Sequence, residues 1–230
     1  MAERSTWDAQ ARAAFSGARE PERLEAAVVR FHRRLDEVID ASISGHAVKV
    51  ACTRGCSFCC SLQVQVQPHE TFTLAAWLRR HFKPERLAAV TARLADNAAK
   101  TRAMGDTARK RSNLACALLG DDGACTAYEA RPAQCRRFHS TRLEVCKASY
   151  ANPADDSIAS PAHPAVAHNA DVIITQAQHA VRDAGLDATP VDMNLALLEA
   201  LENPKALRRW RDGKKPFVNA ALLRHPSTAG

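Results

Sequence analysis

The sequence predicts a mainly α-helical protein: an irregular helical domain around a cysteine-rich metal site, with at most a short two-stranded β ribbon. Three observations predict it. Apolar residues recur at steps of three and four on both sides of the cysteines. Alternation of apolar and polar residues, the mark of a half-buried strand, is confined to Ala47–Val50 and Leu62–Gln67. All eight cysteines fall between residues 52 and 146, in two groups that a helical spacer separates.

The elements follow in order. Leu24, Ala27, Val28, Phe31, Leu35, Val38 and Ile39 make one apolar face; Pro21 suits the first turn of that helix and Gly45 ends it. The two alternating runs are expected to pair as a ribbon closing the loop of residues 52–60. Two strands alone are marginal, so metal and helices must support them. Pro68 opens a second helix with Phe72, Leu74, Trp77 and Leu78 inward, stopping near Lys83-Pro84. A third runs from Pro84 to about Arg111, its far half (Ala98, Ala99, Ala103) less deeply buried. Gly120-Asp121-Asp122-Gly123 is a turn, and Arg131-Pro132 starts a short helix carrying Cys135. Residues 152–164, rich in proline and aspartate, read as a loop. Beyond it one helix spans about Pro164 to Ala184, a second carries Val191, Leu195, Leu198 and Leu201, and a last short one is basic. The tail from Arg224 is expected to fray. The organisation is an N-terminal helical segment (1–46), a cysteine-cluster domain (47–150) and a helical extension packed on it (151–230).

Composition narrows the function. No run of eighteen apolar residues occurs, so no membrane span is expected. The N-terminus carries Glu3 and leads into no apolar stretch, which points to the cytosol, where thiols stay reduced. Clustered cysteines there read as metal ligands before disulfides. The formal charge of +7 suggests nucleic acid, but thiolates on metal are negative: eight on two zinc ions lower it to about +3. Aromatics make up only 5% of the residues and do not interleave with basic ones, so nucleic acid is not the expected partner; a redox or protein partner is left open. Arg54, Arg131, Arg136, Arg137, Arg142 and Lys147 flank the cysteines, where positive charge offsets an anionic centre.

The first group, Cys52, Cys56, Cys59 and Cys60, has the pattern C-x3-C-x2-C-C; the second is Cys116, Cys125, Cys135 and Cys146. Soft thiolates in fours suit zinc or the irons of an iron–sulfur cluster, and spacing alone does not choose between them. Adjacent side chains in extended backbone diverge, so Cys59 and Cys60 could serve two metals or two irons. The stretch Cys52-Thr53-Arg54-Gly55-Cys56-Ser57-Phe58-Cys59 also resembles the cluster motif of radical SAM enzymes, whose barrel requires strand-helix repeats that do not follow here. His139 stands four residues after Cys135 and is read as a surface or supporting residue; His46, His69 and His163 have weaker claims.

The second group decides the resemblance. Cys125-x2-Tyr128-x2-Arg131-Pro132-x2-Cys135-Arg136, taken with the doubled Cys59-Cys60, resembles the YkgJ-like cysteine cluster family, the zinc- or iron-chelating CxxCxxCC domain, over roughly residues 48–148. The C-x3-C spacing at Cys52 departs from the pattern. The resemblance implies a metal centre held by the eight cysteines, with an iron–sulfur oxidoreductase role an open question. Tyr128, Arg131 and Arg136 would surround the cofactor, Arg131 hydrogen-bonding a carboxylate or a cluster sulfur. A related cysteine pattern occurs in flagellin lysine methylases, but no glycine-rich strand-loop-helix is present to seat S-adenosylmethionine. The competing class is a binding module that structural zinc shapes for nucleic acid or protein.

Overall fold

The computed structural model describes residues 2–218 and 220. Helices dominate: α1 (Ala2–Phe15), α2 (Pro21–Gly45), α3 (Pro68–His81), α4 (Pro84–Lys110), α5 (Ala133–Arg137), α6 (Leu143–Ala151), α7 (Pro164–Asp183), α8 (Met193–Glu202) and α9 (Pro204–Arg211). Proline occupies the first turn of α2, α3, α4, α7 and α9, where its missing N–H costs no intrahelical bond. Asp192 caps α8 by accepting from the Asn194 and Leu195 N–H groups, and Asn203 caps α9 through Lys205 N–H.

Two helical layers share one apolar core. In the first, α7 packs on α1 and α2; in the second, α8 packs on α3 and α4, and α2 touches α3 across the join. Phe15, Phe31, Leu35, Leu74, Leu78, Leu94, Leu195, Leu197 and Trp210 are fully buried at its centre. Trp210 satisfies its indole N–H on Asp187 O at 2.7 Å. Among the described residues no helix is long and apolar enough to cross a membrane.

The ribbon differs from the sequence expectation. Strand β1 (Gln65–Val66) pairs antiparallel with β2 (Val191–Asp192), not with residues 47–50. Ala47 adopts φ 49°, and Val48 N–H turns back to Ile43 O at 2.9 Å, so this stretch is the C-terminal wrap of α2. Val191, expected on a helix, stands in β2, and α8 begins two residues later. A helix not foreseen, α6, carries Cys146. Helix α4 runs as expected but kinks at Gly105 (φ 73°). Ala99 and Ala103 are exposed while Ala98 is buried, and beyond the kink Arg109 is driven inside. The tail from Arg224 lies outside the described residues.

Candidate metal centre

Short backbone bonds build the site. In the first loop Cys56 N–H bonds Thr53 O at 3.0 Å, and a single 3-10 turn (Phe58–Ser61) presents Cys59 and Cys60. Cys116 N–H then donates to Cys60 O at 2.8 Å, and Leu114 N–H to Ser61 O at 3.2 Å, so the second loop is laid directly along the first. A tight hairpin follows, with Leu119 bridging Cys125 and Thr126 N–H bonding Leu118 O at 2.8 Å. At its tip Gly123 (φ 74°) meets Gly55 (φ 85°) of the first loop; a Cβ on Gly123 would stand 2.7 Å from Gly55 O. Glycine is required on that side of the contact. A third tie, Ala51 N–H to Ser140 O at 2.7 Å, joins the segment after α5.

None of the eight cysteines is in a disulfide; Cys52 is exposed and the other seven are half-buried. Cys59, Cys60, Cys116, Cys125 and Cys135 form one electrostatic group. Hydrogen bonding to Cys60, then burial, then the Cys60 charge hold the Cys59 thiol far above its ordinary range. Burial pushes Cys116 up to about 11, aided by Cys125 and Cys59, while Leu118 N–H and Arg93 pull the other way. Burial also raises Cys135, with the charges of Cys116, Cys125, Cys59 and Glu70 adding to it. Burial raises Cys125, opposed by Ala127 N–H and Arg131. Cys52, raised by burial and opposed by Ser140 N–H at 3.3 Å, senses Cys56, Cys59 and Cys146. Cys59 therefore links the two groups. Burial is the leading cause at Cys52, Cys116, Cys125 and Cys135, and the charges of neighbouring thiols add to it.

Among the described residues no three His, Cys, Asp or Glu side chains are arranged to hold a metal ion as they stand. The donor set nevertheless fits a soft metal: thiols gathered from two loops, and positive charge beside them. Arg131 is the most telling residue. Its guanidinium stacks 3.7 Å from the ring centroid of Tyr128, which is 63% exposed, and its charge acts on Cys59 and Cys125. Its Nε and Nη1 are buried with no hydrogen-bond partner. Buried donors of this kind call for an acceptor.

Residues 51–157 match the family model CxxCxxCC, described as a "Putative zinc- or iron-chelating domain". That stretch carries all eight cysteines. No curated protein and no solved structure matches the chain.

Within and around the matched stretch, other expected residues find different surroundings. Arg136 turns away from the thiols: it donates to Asp36 at 2.5 Å, to Arg131 O at 2.9 Å and to Glu129 O, tying α5 to α2. Cys146 stands on α6, which packs on the first cysteine turn through Phe58 and Tyr150, rings 5.5 Å apart. His139 is buried and accepts from His163 N–H at 2.9 Å, so it braces the backbone. His69 is sealed between Phe15 and Phe31, where burial lowers its pKa to about 4 and keeps it neutral.

Two supporting residues lie outside the expected set. Glu70 is buried and accepts from His32 Nε2 at 3.0 Å and from Ala133 N–H at 2.6 Å, anchoring the start of the helix that carries Cys135. Arg109, 1% exposed, donates to Ser61 O, Leu62 O and Ser112 O and clamps the chain just past Cys60. A lone glutamate next to Pro68 and one arginine of a basic triplet carry no sequence signal for these roles.

Proposed function

We propose that the CxxCxxCC domain carries a polynuclear thiolate centre of the iron–sulfur type, within a unit of residues 47–150 flanked by helical segments 1–46 and 151–230, and that it works in electron transfer or redox sensing. The observation that carries this reading is a chain of electrostatic contacts from Cys60 through Cys59 to Cys116, Cys125 and Cys135, beside two unpartnered buried nitrogens of Arg131. A single structural zinc takes four protein ligands, so five or more donors favour a larger centre.

A cluster held there would supply a one-electron couple. The chain's own residues would set its properties. Arg131 would donate N–H to a cluster sulfur, and its charge would stabilise the more negative, reduced state. Leu118 and Ser140 N–H groups already point at the sulfurs of Cys116 and Cys52, at 3.4 and 3.3 Å. Tyr128 covers the guanidinium from solvent. Exposed Cys52 leaves an edge open to a redox partner.

A structural zinc site is the second reading, favoured by the backbone ties that brace Cys60 and Cys116 independently of metal. Voltammetry of anaerobically purified protein separates the two. A reversible couple that moves to lower potential in Arg131→Gln supports the redox reading; a metal-loaded protein with no couple removes it.

A further inference from the structure

A cleft of about 590 Å3 opens against the hairpin that presents Cys125. It is lined by Arg54 of the first cysteine loop, Arg86 and Arg93 of α4, and the hairpin residues Asp122, Cys125 and Thr126. We propose that this cleft is a binding site for a small oxyanion, a carboxylate or phosphate ester, held by the three arginines with its charged group beside Cys125.

The placement rests on the metal-centre reading; the capture of an anion does not. Three guanidinium groups from two separate elements converge on one concavity, and among the described residues none of the three pairs with a carboxylate. Arg86 lies over the Phe82 ring, its Cζ 4.2 Å from the centroid, which orients the guanidinium without neutralising it. Arg93 spends one N–H on Leu119 O at 3.3 Å and keeps its others. Several other arginines are paired with carboxylates: Arg80 with Glu25, Arg136 with Asp36, Arg137 with Asp171, Arg209 with Glu199.

The acidic residues of the lip do not cancel this. Asp122 Oδ1 is turned into its own loop, accepting from Ala124 N–H at 3.0 Å. With Asp121 the lining still holds two carboxylates against three arginines, a surplus of one positive charge. Fork-shaped guanidinium groups match oxyanions two bonds at a time. The volume falls within the usual range for small-ligand sites, and a concave shape favours a small molecule over the flat face of a protein.

The cleft also reaches the metal centre. Cys125 forms part of its wall, and the Arg93 charge acts on Cys116. An anion seated there lies next to Cys125, where a substrate or effector of the centre would belong.

The test is calorimetric titration of metal-loaded protein with inorganic phosphate and, separately, succinate, alongside a visible spectrum of the centre. Saturable binding of one or both is expected, with the ion that binds tighter identifying the ester or carboxylate class. The double variant Arg54→Gln/Arg86→Gln should bind at least about tenfold more weakly, while Arg208→Gln on α9, with one charge also removed, should bind as the wild type does. The visible spectrum should shift on saturation. The proposal is overturned if neither ion saturates, if Arg208→Gln weakens binding as much as the cleft variants, or if the preferred ligand is a DNA oligonucleotide with steep salt dependence. Metal analysis of the same samples separates the two ideas: metal without anion binding sinks the cleft alone, and anion binding without metal sinks the metal centre alone.

Discussion

Replacing Glu70 by alanine removes the buried carboxylate that joins α2, α3 and α5. The loss leaves Ala133 N–H and His32 Nε2 without their acceptor, at 2.6 and 3.0 Å in the intact protein. An orphaned buried donor costs about 1–3 kcal/mol, and two together about 2–6 kcal/mol. For a chain of this size each kcal/mol lowers Tm by about 2–4 °C, so Glu70→Ala should melt on the order of 10 °C lower. Glu70→Gln keeps an oxygen for Ala133 N–H and should lose about half as much. Thermal denaturation followed by far-UV circular dichroism gives the melting points, and metal per folded chain gives the local effect. Because Ala133 begins the helix that presents Cys135, metal content should fall in Glu70→Ala even well below its Tm. The sign of the acid dependence also follows. Burial alone would raise the Glu70 pKa, but the His32 hydrogen bond and charge, His69 and Ala133 N–H outweigh it and hold the pKa below 4.5. Its contribution is therefore fully present above pH 4.5 and is lost as pH falls through the lower folded value. Glu70→Ala should show a flatter acid limb than wild type. Equal damage from the alanine and glutamine variants, or an unchanged melting point for alanine, would refute the bracing role.

Other outcomes follow from the same geometry. Alanine at Cys59, Cys116, Cys125 or Cys135 should abolish stoichiometric metal, whereas Cys52→Ala and Cys146→Ala, in the group joined only through Cys59, should retain part of it; elemental analysis of purified variants reads this directly. Metal affinity should rise with pH, since thiols such as Cys116, at about 11, must each release a proton to bind; competition with a chelator between pH 6 and 8 would contradict this if the affinity were flat. In the metal-free protein the raised Cys116 pKa gives stability that is complete below its ordinary 9.0 and is lost as pH climbs toward 11, so the apo form should melt progressively lower over that window. Gly123→Ala forces a Cβ against Gly55 O in a left-handed backbone; it should cost about 1–3 kcal/mol and lower metal affinity more than Gly45→Ala, whose Cβ meets nothing within 4 Å.

Much of the fold was legible because its signals are local. A proline in the first turn followed by an apolar period set α2, α3, α4 and α7 nearly to the residue. The ribbon was not legible, since β1 and β2 lie 125 residues apart along the chain and their two-residue register leaves almost no pattern. Residues 47–50 alternate in sequence, yet the helix end at Ala47 claims their backbone. The cysteine groups were legible from spacing alone. Their supports were not: Glu70 and Arg109 act through the packing of distant helices, and the turn of Arg136 toward Asp36 depends on where α2 passes.

Ligation of one polynuclear centre by the thiols of both loops requires iron and sulfide to be bound together. Iron and acid-labile sulfide per chain in anaerobically purified protein measure this. A brown protein with iron and sulfide in equal amounts, both lost on replacing Cys59 or Cys135, is expected; colourless protein carrying zinc and no sulfide would rule the shared centre out.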